Sequence, residues 1–291
     1  MKSLLFIVKE FRPDAYKDLE KELREKETEL KSFVYTGFDI ENILGRLTKE
    51  IKKSGKDTLL VTDSPEIYDY IRVLGHDAVA LAEKEEDFSF YPDAKYIVMK
   101  PYEIEALYYE RVWMRFNDIP WTIAVTDRLI IRETVESDVE DFYRIYKDPR
   151  MTRYTEKLYE NIEEERKYIS EYREKVYAVQ GFGIWTVIKK DDGRIIGRAG
   201  LITRGGFDDV EVGYAIDTAF QHMGFAKEAV TECLAIAKDL GFSRVYALTD
   251  KENAPSLALL DSLGFKYEKD CVVDGRNLVK MTLNKHSHIM R

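Results

Sequence analysis

Residues Gln221-His-Met-Gly224-Phe-Ala226-Lys227 lie between a strand-like run, Glu211-Val-Gly-Tyr-Ala-Ile-Asp217, and a long amphipathic stretch, Phe225–Leu240, with helical spacing. Gly224 and Ala226 carry little or no side chain, so a ligand can approach the main chain closely there. The N–H groups of the helical turn that follows have no intrahelical acceptors, and they point outward with the positive end of the helix dipole. Such a turn is a ready anion site, and a pyrophosphate is its natural guest. The alternative is a plain strand-to-helix turn that uses glycine at the bend. Spacing alone does not choose between them.

Outward from this turn, the second half of the chain reads β-α-α-β-β-β-α-β-α-β-β. It opens with a strand over Arg128–Glu133, and Ser137-Asp-Val-Glu140 has the spacing of a capping box that starts an amphipathic helix. A strongly charged helix covers roughly 161–176. Strands over Gly183–Lys189 and Arg194–Thr203 are joined by the turn Asp191-Asp-Gly193. After the strand Val210–Ile216 and the helix at Phe225–Leu240 come a strand at Arg244–Thr249 and a helix at Ala254–Leu263. Strands around Lys266–Val273 and Asn277–Leu283 close the half.

Three segments on these elements together resemble the GNAT N-acetyltransferase superfamily. Gln221-x-x-Gly224-x-Ala226 is similar to its Q/R-x-x-G-x-G/A signature, and Glu211–Asp217 looks like the strand that feeds it. Asn253-Ala-Pro-Ser256-Leu-Ala-Leu-Leu260-Asp-Ser-Leu-Gly264-Phe265 is similar to the family's Asn-x-x-Ser/Ala…Gly-Phe segment. The resemblance covers roughly 128–284 and points to the RimJ/RimL-like branch. It implies a mixed, splayed sheet and acetyl-CoA as co-substrate. The edges of Tyr214, Ala215 and Ile216 would then pair with the pantetheine arm. Gln221, His222, Met223, Gly224, Phe225, Ala226 and Lys227 would hold the pyrophosphate through the main chain. Asn253 would reach the pantetheine or the substrate, with Ser256 of the same segment on the cofactor side. The glycine patterns of Rossmann and Walker sites are absent, so dinucleotide binding and phosphoryl transfer fall away.

Amine acetylation needs a neutral amine, a donor for the developing oxyanion and a proton for the leaving thiolate. A backbone N–H near Ile216 could polarise the carbonyl. Glu211, upstream on the same strand, is the candidate base, and partial burial would raise its pKa toward that task. The bland alternative is a strand-surface glutamate without a role. Many relatives place a tyrosine seven residues after the motif asparagine. Here that position is Leu260, so the proton must come from water or from another tyrosine, Tyr214 being the candidate. His222 reads as a surface position. Cys233 and Cys271 read as packing residues. His76, His286 and His288 have no ligand-spaced partners, the last two in a frayed tail, and no metal is indicated.

Composition frames the rest. The 291 residues suggest two domains. A formal net charge of -9 leaves no broad basic face for nucleic acid or an anionic membrane. Two cysteines are too few for a disulfide framework. Ser3–Val8 is too short to span a membrane and reads as a buried strand, so a cytoplasmic protein is expected. The boundary falls in Phe116–Asp127, where Pro120 stops a helical pattern, giving domains 1–125 and 126–286. In the first domain, apolar runs at Leu4–Val8, Thr58–Thr62, Ala78–Leu81 and Tyr96–Met99 alternate with helical stretches near 13–31, 40–53, 65–74 and 102–116. That rhythm predicts a small parallel, Rossmann-like α/β sheet. Leu59-Leu-Val-Thr-Asp63-Ser64 and its helix faintly resemble the haloacid dehalogenase half-fold. That family's Asp-x-Asp after the first strand is replaced by Phe6-Ile-Val-Lys-Glu10, so this domain reads as a non-catalytic accessory. The aromatic helix Tyr102–Phe116 reads as core or inter-domain packing.

The leading expectation is an acetyl-CoA-dependent N-acetyltransferase that acts on a primary amine of a small molecule or protein N-terminus, with a homodimer as a possible assembly. A catalytically silent acyl-CoA-binding sensor is the alternative, and a phosphatase centred on Asp63 the third. Acceptor choice would lie in the helices at 137–176 and the loop at Asp274-Gly275.

Overall fold

Short apolar runs without a polar break suit strands that are buried on both faces. The computed structural model, which describes residues 1–36, 40–207 and 209–284, has such strands at the centre of the first of two units, Met1–Ile119 and Pro120–Arg291. In the first unit the elements are β1 (Ser3–Val8), α1 (Lys17–Glu25), β2 (Glu29–Val34), α2 (Ile40–Ser54), β3 (Thr58–Thr62), α3 (Pro65–Val73), β4 (Ala78–Leu81), β5 (Ile97–Val98) and α4 (Ala106–Phe116). The sheet is parallel throughout, in the order β2-β1-β3-β4-β5. Every residue of β1 and β3 is buried. Leu4, Phe6 and Val61 pack with Leu19 and Leu23 of α1 and Tyr109 and Val112 of α4. Leu5, Ile7 and Leu60 face the other way, toward Leu47 and Ile51 of α2 and Ile67 and Ile71 of α3.

The sequence pattern missed β2, since the charged stretch 13–31 reads as one helix. The helix ends at Glu25, Glu27 turns with φ +56°, and Glu29–Val34 joins the sheet edge beside β1. An edge strand buries only part of itself, so it can carry the charges that disguise it. The aromatic helix α4 serves the core of its own unit: Tyr109 is fully buried, with Tyr108, Trp113 and Phe116 packed beside it. Ser64 caps α3 as its Ser-Pro start predicts, its Oγ accepting from the Ile67 N–H at 3.2 Å. Asp63, just before it, accepts from the Lys9 N–H at 3.0 Å and the Tyr35 hydroxyl at 2.7 Å.

The second unit runs β6 (Thr122–Val125), β7 (Leu129–Arg132), α5 (Val139–Tyr146), α6 (Pro149–Thr152), α7 (Ile162–Tyr172), α8 (Ala178–Gln180), β8 (Ile184–Lys189), β9 (Ile195–Ile202), β10 (Val210–Ile216), α9 (Phe225–Asp239), β11 (Arg244–Thr249), α10 (Ala254–Ser262), β12 (Lys266–Val273) and β13 (Arg276–Asn284). Its eight-stranded sheet has the order β12-β13-β11-β10-β9-β8-β7-β6. All neighbours are antiparallel except β10 and β11. The division between units lies six residues ahead of the 125/126 expectation, because Thr122–Val125 pairs with β7. The α9 helix buries Phe225, Ala229, Val230, Cys233, Leu234 and Ala237 along one stripe. Cys233 is thus a core residue, and burial pushes its thiol up. On the other face, α5 and α7 contribute Val139, Phe142, Ile145 and Ile169 to a second cluster.

The entry to α5 departs from the capping box read at Ser137–Glu140. The turn starts at Glu136, and it is the Asp138 carboxylate that accepts from the Val135 N–H at 3.1 Å. Asp138 is buried and also holds Arg132 through two bonds of 2.6 Å and the Thr186 hydroxyl at 2.8 Å. A buried carboxylate needs that many donors. His286 and His288 lie outside the described residues. Among the described residues no helix is long and apolar enough to cross a membrane, and no three His, Cys, Asp or Glu side chains group as a metal site.

Candidate active site

The parallel pair β10 and β11 is joined at two positions only, Val210 with Val245 and Glu211 with Tyr246. Beyond Glu211 the strands part. Each keeps its outer antiparallel neighbour: β10 stays paired with β9 as far as Ile216 and Gly197, and β11 with β13 through Thr249. A residue with a side chain at 197 could not allow this approach, since its Cβ would lie 2.1 Å from the Ala215 carbonyl oxygen. The splay leaves the inner edge of β10 facing a cleft of about 1500 Å³.

At the far end of β10 the chain turns into α9. Asp217 accepts from the Ala219 N–H at 3.0 Å and from the Arg144 guanidinium at 3.0 Å. The Gln221 side chain reaches back to donate to the Ile216 carbonyl at 2.9 Å, closing the turn. Gly224 is the N-cap, with φ +84°, a conformation in which any other residue but Asn or Asp is strained. Gly224, Ala226 and Lys227 line the cleft, so the first turn of α9, whose N–H groups have no intrahelical acceptors, begins at its wall. Arg150 lines it too, donating to the Thr218 hydroxyl at 3.2 Å and to Asp148 at 2.6 Å.

Sequence reasoning missed the clamp on this turn. Arg128, at the entry to β7, donates to the Met223 carbonyl at 2.9 Å and lies over the Phe225 ring, 4.4 Å from its centroid. Its other side meets Glu228 of α9 at 2.7 Å, and Glu228 also accepts from the Thr126 hydroxyl and the Arg128 N–H. Burial works against the charge of Glu228. The bonds from Thr126 and Arg128 outweigh it and lower the pKa. These partners lie about a hundred residues apart, and no local pattern announces them.

Glu211 occupies the last position at which β10 pairs with β11, at the vertex of the splay, and is buried at 6% exposure. Burial raises its pKa, and the Arg204 guanidinium, 3.0 Å away, pulls the other way. Three residues on, the Tyr214 hydroxyl lies 2.8 Å from Ser256 Oγ on α10, across the opening. Burial pushes Tyr214 up to about 12, so its proton stays on at neutral pH. Asn253 is the N-cap of α10, its side chain accepting from the Ser256 N–H at 3.2 Å, which sets Ser256 opposite Tyr214. Leu260 is fully buried in the core and offers no hydroxyl to the cleft.

Of the residues expected in the site, Glu211, Tyr214, Ala215, Ile216, Gln221, His222, Gly224, Ala226, Lys227, Asn253 and Ser256 line this one cleft. Met223 and Phe225 do not line it: Met223 is exposed, and the Phe225 side chain points into the core. The opposite wall is a face of α7 bearing Glu165, Tyr168 and Tyr172 at helical spacing. Glu165 is buried and accepts from the Tyr159 N–H at 3.1 Å. The rings of Tyr159, Tyr168 and Tyr172 follow one another at 5.8 Å centroid spacings.

Residues 128–266 match the family model described as "Acetyltransferase (GNAT) domain". The second unit is thus a GNAT acetyltransferase domain, and the chain is an acyltransferase. It is 29% identical over 150 residues to the uncharacterized N-acetyltransferase YoaA of Bacillus subtilis (strain 168), a match that spans 50% of this chain and 84% of YoaA. The uncharacterized N-acetyltransferase p20 of Bacillus licheniformis is 27% identical over 152 residues, 49% of this chain and 82% of p20. Among solved structures, Mycobacterium smegmatis RimJ in complex with CoA-disulfide aligns with 20% identity and a TM-score of 0.44, over 54% of this chain and 81% of that one. Proteins of the GNAT family use acetyl-CoA.

Proposed function

We propose that the protein is an acetyl-CoA-dependent N-acetyltransferase that acetylates a primary amine by direct attack on the thioester. One observation carries the reading: β10 and β11 part at Glu211, and the cleft they open runs from that buried carboxylate to the N-terminus of α9. The N–H groups there, the helix dipole, Lys227 and Arg150 suit a pyrophosphate. The unpaired edge over Tyr214–Ile216 suits an arm that carries its own amides. When bound, acetyl-CoA supplies an acyl carbonyl with a thiolate leaving group. Glu211 takes the proton of the entering ammonium, directly or through water. Tyr214, protonated at neutral pH, donates toward the departing sulfur, and the proton that the nitrogen sheds as the amide forms returns to the phenolate through water. The buried Glu165 and its row of tyrosines favour a cationic acceptor, a small amine or a protein N-terminus. The two free cysteines suit a reducing cytoplasm. The first unit acts as a non-catalytic accessory, in keeping with an Asp63 whose oxygens the chain itself supplies with donors.

The test is thiol release from acetyl-CoA with spermidine and with peptides that begin in Ala or Ser. We expect turnover with at least one of them, and Glu211→Gln should lower kcat/KM by about 10²–10⁴-fold. Tight CoA binding without turnover on any amine would assign a sensor instead. Unchanged kinetics in Glu211→Gln would remove the base.

A further inference from the structure

We infer that Arg204 is a positioning residue for acetyl transfer, holding Glu211 at the vertex of the cleft and tying to it two other segments of the cleft rim. Arg204 lies in the connection between β9 and β10. Its Nε donates to Glu211 at 3.0 Å, its Nη1 to Asp274 at 2.9 Å, and its Nη2 lies 3.7 Å from Glu156. Three carboxylates from three separate parts of the chain thus meet the three nitrogens of one guanidinium. Asp274 belongs to the turn between β12 and β13, and Glu156 to the segment between α6 and α7. All four side chains line the same cleft. A second bond joins the same two rim segments, from Arg276 to the Tyr154 carbonyl at 3.0 Å.

The chemistry of the cluster explains why an arginine stands there. Glu211 faces Arg204 and Glu156 from the connecting segments, Tyr246 from β11 and Cys271 from β12, with Lys280 of β13 beyond the Tyr246 ring. Burial and the neighbouring Glu156 both favour the protonated acid, and the guanidinium opposes them. A base has to be ionised when the amine arrives, so the cation beside it sets the pH at which the site works. The planar fork of arginine, always charged, serves three carboxylates at once, whereas a lysine would serve as a point charge without the geometry.

This inference rests on the reading of Glu211 as the base, and two measurements separate them. The first is the pH dependence of kcat/KM with whichever of the three probes turns over. The second needs no acceptor: ¹³C NMR titration of the Glu211 carboxyl in glutamate-labelled protein, assigned by its loss in Glu211→Gln. Arg204→Gln should move both the acidic limb and the NMR titration to higher pH by about one unit, a tenfold change in the ionisation constant. Arg204→Lys, which keeps the charge, should abolish most of that shift while leaving the acceptor KM raised. CoA affinity, set at the other end of the cleft, reports on folding in each variant. A limb and a titration unmoved in folded Arg204→Gln would overturn the inference. A shifted titration in a protein indifferent to Glu211→Gln would keep Arg204 as the group that sets Glu211 and remove the base reading alone.

Discussion

Each unit holds a parallel strand pair that leads into a helix N-terminus, and the two pairs end differently. In the first, β1 and β3 pair over five residues, from Ser3 with Thr58 to Ile7 with Thr62. Both strands have parallel partners on their outer edges and helices on both faces, so nothing draws them apart. What is left at their carboxyl ends is met by the chain: Asp63 receives the Lys9 N–H and the Tyr35 hydroxyl, and Ser64 caps α3. In the second, β10 and β11 pair over two residues, and their antiparallel neighbours β9 and β13 hold them on diverging courses. Main-chain groups beyond Glu211 are then available to a ligand. A parallel junction becomes a cleft where the ladders on either side outcompete the ladder between.

The sharpest way to break the contrast is at Gly224. Gly224→Val puts a β-branched residue at φ +84° with its Cβ 3.2 Å from Arg128. That conformation costs about 1–3 kcal/mol, so the turn should give way, and CoA affinity measured by calorimetry should fall at least about tenfold. Retained affinity would show that the α9 N-terminus is no anion site. A smaller effect is expected from Glu228→Gln, which loses the charge that holds Thr126 and Arg128. Bonds to a charged group are worth about 1.5–3 kcal/mol, so the unfolding midpoint should drop by about 3–12 °C at pH 7. Since the folded pKa of Glu228 lies below its unfolded value, this contribution is present above about pH 4.3 and fades as pH falls through the folded pKa. Melting curves of variant and parent should accordingly converge in acid. The smallest effect belongs to the closed junction: Asp63→Asn should cost about 1 kcal/mol in denaturant unfolding and leave acetyl transfer unchanged. Lost turnover in that variant would make the two junctions functionally alike and sink the contrast.

The legible parts of this protein are the local ones. Central strands such as Leu4–Val8 and Thr58–Thr62 declare themselves because both faces are buried and no polar residue interrupts them. The Gly224 turn is legible because a bend, a missing side chain and a helix start occupy neighbouring residues. The strands that escaped are edges. Glu29–Val34 carries its charges toward solvent, and Thr122–Val125 follows a Pro-Trp pair that reads as linker. The helix after Ser137 lies where its spacing puts it, but the capping carboxylate is that of Asp138, which Arg132 and Thr186 hold through bonds that lie outside any capping pattern. In the site, Glu211 and Tyr214 were nameable from their strand, but Arg128, Arg204 and Glu165 were not.

By itself the sequence determined the central strands, most of the helices between them and the glycine turn, since each depends on residues within a few positions of one another. Tertiary structure alone decided where β10 and β11 part, because strand divergence follows from competition among neighbouring ladders. It also decided which charges meet. Glu211 is buried against Arg204, and Arg204 in turn gathers Asp274 and Glu156, seventy residues downstream and almost fifty upstream. Coulomb attraction and desolvation depend on distance in space, and along the chain those partners carry no shared pattern.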